Sequence, residues 1–368
     1  MRRLLRNVRS RRRTRLYRKV TMKKVLLGMS GGLDSTYSVL ALRDAGFDVG
    51  GVTLVMHGYT DTSDARECAG SLGVPFYEVD CREKFDSAVK ADFVREYSRG
   101  RTPNPCVVCN RYVKFACLCD AADTFGYELV ATGHYAGKGE ANGRVFIKKG
   151  VDPKKDQSYM LWALTQEQIR RVVFPLGMLC KSSVRESARE AGLPSADAAE
   201  SEDICFLPDT APTDFVENAV GKFPEGDFVD KDGNVLGRHK GIARYTVGQR
   251  RGLGVSSSSR LFVTDIVTES NTVVLGREDE LFSSGITVSS LNFQKDVLHD
   301  GESGRYSVKI RYAAPPVPAL VTVRGDTALV TFDSPVKAAA PGQSAVFYDG
   351  DSIAFGGIID GRRQNGKF

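Results

Sequence analysis

Apolar and polar positions follow two different periods along this chain. Lys24 is followed by Val25, Leu26, Leu27, Gly28 and Met29, a short apolar run of the kind found in strands buried on both faces of a parallel sheet. A glycine-rich turn follows, and helical spacing over 36–45 stops at Gly46. The same reading predicts strands at 49–55, 75–79 and 128–132 and helices at 61–72, 83–98 and 110–125. Strand and helix alternate at the spacing of right-handed crossover units, which predicts an α/β domain built on a doubly wound parallel sheet. Residues 158–191 keep a helical pattern, interrupted at Pro175 and Gly177.

After Phe206 the period changes to two. Short alternating segments are separated by Asp232-Gly233, Gly276, Asp300-Gly301, Gly325-Asp326 and Asp349-Gly350, the punctuation of antiparallel hairpins. The organisation expected is an α/β domain over 23–206, a small β-rich domain over 207–277, a C-terminal β-barrel over 278–361 and a tail over 362–368. No internal repeat is evident.

Composition adds three constraints. No apolar run approaches the roughly 18 residues of a membrane span, so a cytoplasmic protein is expected. The net charge of +6 misleads: the first 22 residues hold nine arginines, one lysine and no acid, which leaves the remainder at −4. Residues 1–22 are read as a basic disordered extension outside the fold. Such a tail resembles a transit peptide or an RNA-binding arm, but Met22 directly before the first strand favours an over-extended start. The eight cysteines come without an apolar secretory segment, which argues against a disulfide scaffold and turns attention to metal or redox chemistry.

The sharpest local motif is Ser30, Gly31, Gly32, Leu33, Asp34, Ser35, placed between a buried strand and a helix. Glycines let the backbone approach a phosphate, and the helix start adds N–H donors and a positive dipole end. Asp34 is an odd neighbour for an anion unless it holds Mg2+, which bridges carboxylate and phosphate. The Gly-Lys-Ser/Thr ending of a Walker loop is missing. The motif resembles the PP-loop of N-type ATP pyrophosphatases, which implies ATP cleavage between the α- and β-phosphates and adenylation of an oxygen.

Cys106 and Cys109 lie in a proline-rich loop, Thr102 to Asn110, that runs into a predicted helix. Cys109 falls near the start of that helix, where the dipole is expected to lower its pKa. Cys205 lies far along the chain beside Phe206, and two distant thiols can converge to carry and release a persulfide sulfur. Cys68, Cys81, Cys117, Cys119 and Cys180 read as core residues.

Several motifs, taken in order, resemble the MnmA-type tRNA 2-thiouridylase family: the PP-loop, the loop at 102–105, the segments ending at Tyr135 and Tyr159, and Asp203 to Phe206. The segments 245–250, 309–312 and 341–345 add to the resemblance, which spans nearly all of 23–360. It implies an ATP-dependent sulfurtransferase acting on the 2-carbonyl of the wobble uridine, with Cys109 as nucleophile and Cys205 as the persulfide carrier. It further implies ATP contacts at Gly28, Met29, Ser30, Gly31, Gly32, Leu33, Asp34, Ser35, Met56 and Gly133. Asn104, Pro105 and Cys106 would line the target base, and Lys155, Asp156, Gln157, Arg311 and Tyr312 would contact tRNA. The implied partners are tRNA of the Lys, Glu and Gln isoacceptors and a cysteine desulfurase or sulfur-relay protein. His134 reads as a hydrogen-bonded structural histidine rather than an acid–base group.

Two departures matter. Many members carry Asp where this chain has Cys106. Cys106, Cys109 and Cys205 then form a three-thiolate set that could ligate a [4Fe-4S] cluster with one open iron, an alternative to the persulfide relay. Glu202 adds a carboxylate close to Cys205 in sequence. Two other functions stay open at this point: an N-type pyrophosphatase amidating a small molecule, for which no glutaminase segment is seen, and a tRNA-binding protein without catalysis.

Overall fold

The computed structural model describes residues 22–197, 204–208 and 210–363. The basic extension before Met22 and the Glu202 carboxylate lie outside the described residues. The first unit is a five-stranded parallel sheet: β1 (Lys24–Gly28), β2 (Asp48–Val55), β3 (Phe76–Asp80), β4 (Leu129–Ala131) and β7 (Val172–Val173), in the order β3-β2-β1-β4-β7. Alternate side chains of β1 serve opposite faces, as a strand's pleat requires. Val25 and Leu27 pack with Val39, Leu42, Ala65 and Ala69 on one face. Leu26 packs with Val52, Leu54, Phe85, Phe115 and Leu118 on the other. All three β1 residues are fully buried, the doubly wound arrangement the apolar run predicts.

The pattern over 158–191 is not one interrupted helix. A short 3-10 turn, Ser158–Leu161, is followed by the helix Gln166–Arg171, then β7, then the helix Lys181–Glu190. Thr165 and Gln168 start the first helix with a capping box, and the β-branched pair Val172-Val173 before Pro175 ends it by joining the sheet edge. A hairpin absent from the sequence expectation, β5 (Ala136–Ala141) and β6 (Arg144–Lys149), turns at Asn142 and Gly143, both at positive φ. Asn-Gly is the favoured pair for such a turn.

That hairpin belongs to the first unit in sequence but to the barrel in space. It joins the last strand, Ser352–Arg363, through a Ser352–Lys148 pairing and extends the barrel sheet to eight strands. The barrel is six-stranded and antiparallel, closed by pairing of its first strand, Phe282–Phe293, with Ser352–Arg363. Between the two units, a four-stranded sheet holds the small domain around Phe228, Val263, Val273 and Leu275.

The first unit and the barrel are joined by buried polar bonds. The Gln294 amide donates to the Leu161 and Trp162 carbonyls and accepts from Ile147 N–H, while Trp162 Nε1 donates to Ser344 Oγ at 2.9 Å. Trp162 also explains Gly356: a β-carbon there would lie 2.6 Å from the indole ring. Gly356→Ala is therefore expected to cost about 1–3 kcal/mol through overpacking, read as a lower thermal midpoint. Gly70→Ala is the control: it meets nothing within 4 Å and should be neutral or stabilising, since glycine costs a helix roughly 1 kcal/mol against alanine.

Candidate active site

The phosphate loop is set by hydrogen bonds on both flanks. Met29 N–H donates to the Val52 carbonyl at 2.8 Å, and Thr53 Oγ1 donates to the Met29 carbonyl at 2.7 Å, which carries the β1–β2 pairing one residue past the strand. The helix Leu33–Asp44 then starts inside the motif, three residues earlier than its apolar spacing suggests, so Asp34 and Ser35 sit in the first turn. No side chain caps that end, which leaves first-turn N–H groups facing the loop. Ser30 and Ser35 meet with their hydroxyls 3.3 Å apart, and Ser35 Oγ donates to the Gly32 carbonyl.

The two loop glycines have different reasons. Gly31 has φ +79°, and a β-carbon there would come 2.5 Å from the Asp64 side chain, where the helix Ser63–Ser71 begins. Gly32 would meet nothing tighter than Ser30 Oγ at 3.6 Å. No protein atom demands glycine at 32, so the open space there suits a ligand's close approach. Met29 is buried with its sulfur against Gly51, and Leu33 packs with Tyr135, Leu176 and Val184. Both can therefore offer ATP only their backbone. Gly133 faces Asp34, where a β-carbon would fall 3.1 Å from it.

Asp34 holds two partners that sequence reasoning missed. The Lys181 ammonium lies 2.7 Å from both carboxylate oxygens, and the Tyr135 hydroxyl donates to Oδ1 at 2.8 Å. Tyr135 sits in a motif already singled out, whereas Lys181 carries no local signal. Mg2+ usually takes one or two carboxylates plus phosphate oxygens, and Asp34 at the loop fits that role.

The cysteine segment differs from expectation. The helix starts at Pro105, with Asn104 as N-cap accepting from Val107 N–H, and runs through a π turn, Asn110–Lys114, into Phe115–Phe125. Cys109 thus lies at the end of the first helical stretch rather than before a helix at 110. It is buried against Met56, sulfur to sulfur 3.7 Å. Burial pushes its pKa up to about 11, against the expected helix-dipole lowering. Burial also raises the Cys106 and Cys205 thiols, whose side chains remain exposed at the site's edge. The Lys114 ammonium opposes the rise at all three sulfurs. Lys114 ends the π turn, which is marked by Phe115 N–H donating to Asn110 O and shifts the helix register by one residue. Phe206 anchors Cys205 by packing edge-on against Phe85 and Phe93.

A pH prediction follows from the sign of the Cys109 shift. At neutral pH the thiol form dominates, so alkylation of Cys109 in a Cys106→Ser, Cys205→Ser background should rise about tenfold per pH unit from 7 to 10. Peptide mass spectrometry reads this. A plateau below pH 9 would show that the thiolate is stabilised after all.

Among the described residues, no group of three or more His, Cys, Asp or Glu side chains is gathered closely enough to hold a metal ion. Cys106, Cys109 and Cys205 are therefore not gathered as a metal-binding group in this arrangement. His134 is shut in, hydrogen-bonded to Thr132 Oγ1 at 2.7 Å, and its pKa is held well below the ordinary value by burial, as a structural histidine requires.

The expected tRNA contacts separate into two kinds. Asp156 accepts from Gly150 N–H and from both Ser158 donors, and Gln157 Oε1 accepts from Tyr135 N–H, so both side chains hold their own loop. The Arg311 guanidinium donates to the Val247 and Ala338 carbonyls and ties the small domain to the barrel. Tyr312 is exposed, and Lys155 lies nearby in the 150–157 loop. A cavity of about 930 Å³ opens between the β5–β6 hairpin, β7 and the barrel, lined by Lys138, Lys148, Lys149 and Lys309 with Asp156 and Asp351.

Comparison with known proteins converges on one family. The chain matches the tRNA methyl transferase HUP domain over 23–209, the corresponding PRC-barrel domain over 213–277 and the aminomethyltransferase beta-barrel domain over 283–359. It is 43% identical to tRNA-specific 2-thiouridylase MnmA 1 of Caldanaerobacter subterraneus subsp. tengcongensis, over 92% of this chain and 98% of that one. It is 42% identical to the tRNA-specific 2-thiouridylase MnmA of Clostridium acetobutylicum, over 92% and 99%, and to that of Clostridioides difficile, over 92% and 98%. With a phosphate loop running into an uncapped helix start, a buried thiol packed against Met56, and this likeness over 92% of its length, the chain belongs to the MnmA-type tRNA-specific 2-thiouridylase family.

Proposed function

We propose that this enzyme thiolates the wobble uridine of tRNA, using ATP to activate the 2-carbonyl oxygen and a Cys205 persulfide to replace it. Membership in a family of ATP-using tRNA 2-thiouridylases supports the reaction. One observation carries the assignment of residues. Met56, just beyond the strand whose Thr53 holds the phosphate loop, touches the Cys109 sulfur at 3.7 Å. The nucleotide site and the thiol are therefore neighbours on a rigid support.

The steps follow from that arrangement. The uridine leaves its stack to reach the site, because its 2-carbonyl is otherwise shielded. Asn104, Pro105 and Cys106 line its pocket. The backbone of Gly28 to Ser35 holds the triphosphate, and Asp34 would hold Mg2+, which when bound would supply charge neutralisation to the departing pyrophosphate. The carbonyl oxygen displaces pyrophosphate from the α-phosphate. The terminal sulfur of the Cys205 persulfide then bonds to C2, and the C2–O bond breaks with release of AMP. Cys109 attacks the Cys205 sulfur, which leaves the terminal sulfur on C2 and a Cys109–Cys205 disulfide for a cellular thiol reductant to open.

Sulfur enters from a cysteine desulfurase or relay protein, and the expected substrates are the Lys, Glu and Gln isoacceptors. The lysine-lined cavity, with Lys155 and Tyr312 nearby, offers phosphate contacts for the tRNA backbone. We place the reaction in the cytoplasm, where tRNA and ATP meet. Among the described residues, no helix is long and apolar enough to cross a membrane. The test is nucleoside mass spectrometry after incubating unmodified tRNA with the persulfidated enzyme. Appearance of 2-thiouridine only when ATP is present supports the reading, and thiolation without ATP, or none with it, refutes it.

A further inference from the structure

We propose that Gln343, in the barrel, is a positioning residue for the target base: its amide holds the 102–104 loop in the form that presents Asn104, Pro105 and Cys106 to the uridine. This inference rests on the thiolation reading above. The sequence motifs at 245–250 and 341–345 take no part in the steps of that reaction, yet both arrive at this loop. Gln343 Nε2 donates to the Thr102 carbonyl at 2.9 Å and to the Pro103 carbonyl at 3.3 Å. Thr102 N–H donates to the Pro341 carbonyl at 2.8 Å. The Thr102 hydroxyl donates to that of Thr246, in the small domain, at 3.3 Å. Gly342 has φ +90°, and a β-carbon there would lie 2.9 Å from the Thr102 backbone.

The loop needs this outside grip. Pro103 and Pro105 have no N–H to donate, and each pushes the residue before it toward extended backbone. Asn104 is extended, with φ −114° and ψ 91°, and it caps the helix Pro105–Cys109 that carries Cys106. The barrel side of the grip is anchored to the last strand. Gly342 N–H donates to the Ile359 carbonyl, and Ile359 N–H donates to the Gln343 carbonyl, both at 2.8 Å. Arg101 adds a tie to the same strand, donating to Asp360 Oδ1 at 3.1 Å. Losing the Gln343 amide frees two adjacent carbonyls just before Asn104, and a displacement of about 1 Å in a positioning element can slow a reaction about a hundredfold.

Steady-state thiolation by the wild type, Gln343→Ala, Gln343→Glu and Gly342→Ala tests this, with ATP affinity and thermal midpoint measured for each. The second readout is an anticodon stem-loop carrying 2-aminopurine beside the target uridine, whose fluorescence rises when its neighbour leaves the stack. Gln343→Ala should lower kcat roughly tenfold to hundredfold, with KM for tRNA and Kd for ATP within about threefold and the fluorescence rise diminished. Gln343→Glu keeps the size but removes the donors, so its kcat should fall as far. Gly342→Ala should lower kcat likewise, by pushing on Thr102 with Gln343 intact. Loss of ATP affinity and thermal midpoint together with kcat in Gln343→Ala would mark the contact as structural. An unchanged kcat in either Gln343 variant would show that the amide donors do not place the base. Either result overturns the inference while the thiolation reading stands. A wild type that forms no 2-thiouridine would overturn both.

Discussion

Replacing Cys205 by serine is expected to abolish thiolation, and replacing Cys109 is expected to arrest it with tRNA still covalently attached. The two outcomes differ because the thiols act at different points. Without Cys205 no persulfide forms, so turnover should fall on the order of 10³-fold or more, with ATP affinity unchanged. Without Cys109 the terminal sulfur still bonds to C2, but nothing in the site cleaves the Cys205 S–S bond. A Cys205–S–S–tRNA adduct should accumulate, shift in a denaturing gel and be released by dithiothreitol. Cys109 lies buried beside Met56 and Cys205 at the exposed rim, anchored through Phe206. That division suits a carrier loaded from outside and a resolving thiol kept from solvent. Free tRNA in the Cys109→Ser reaction would show that the resolving role belongs to another group.

The second large effect concerns the two loop glycines, which should fail in different ways. Gly31→Ala forces a β-carbon to within 2.5 Å of Asp64 at φ +79°, so the loop must move away from the helix Ser63–Ser71. Left-handed strain of about 1–2 kcal/mol adds to the clash, and both stability and ATP affinity should drop. Gly32→Ala meets no protein atom closer than 3.6 Å, so its thermal midpoint should stay near the wild type. Its methyl group instead occupies the space proposed for phosphate, and ATP affinity should fall at least tenfold, about 1.4 kcal/mol. A Gly32→Ala protein that binds ATP normally would move the phosphates off this loop.

Much of the architecture was legible because burial on both faces writes itself as an apolar run. Val25 to Leu27 announced the central strand, and the loop after it announced the phosphate site. The β5–β6 hairpin was missed although Asn142-Gly143 is a strong turn signal, because its partner strand lies about two hundred residues further on. Likewise, Val172 and Val173 read as helix until β4 claims them at the sheet edge. At the site, the motif gave Asp34 but not its partners, since Lys181 lies 147 residues away in sequence. The Cys109 pKa was misjudged for a related reason. A helix start can be inferred locally, whereas the burial that outweighs it comes from tertiary packing. The π turn Asn110–Lys114 beside the cysteine segment leaves no pattern in the sequence at all.

The central claim is that the uridine's own oxygen is adenylated and leaves on AMP. It is tested by supplying tRNA whose target uridine carries ¹⁸O at the 2-carbonyl and measuring the mass of the AMP released in a single turnover. The mechanism predicts one ¹⁸O in AMP for each 2-thiouridine formed. Unlabelled AMP, with the ¹⁸O recovered in water or in pyrophosphate, would contradict it.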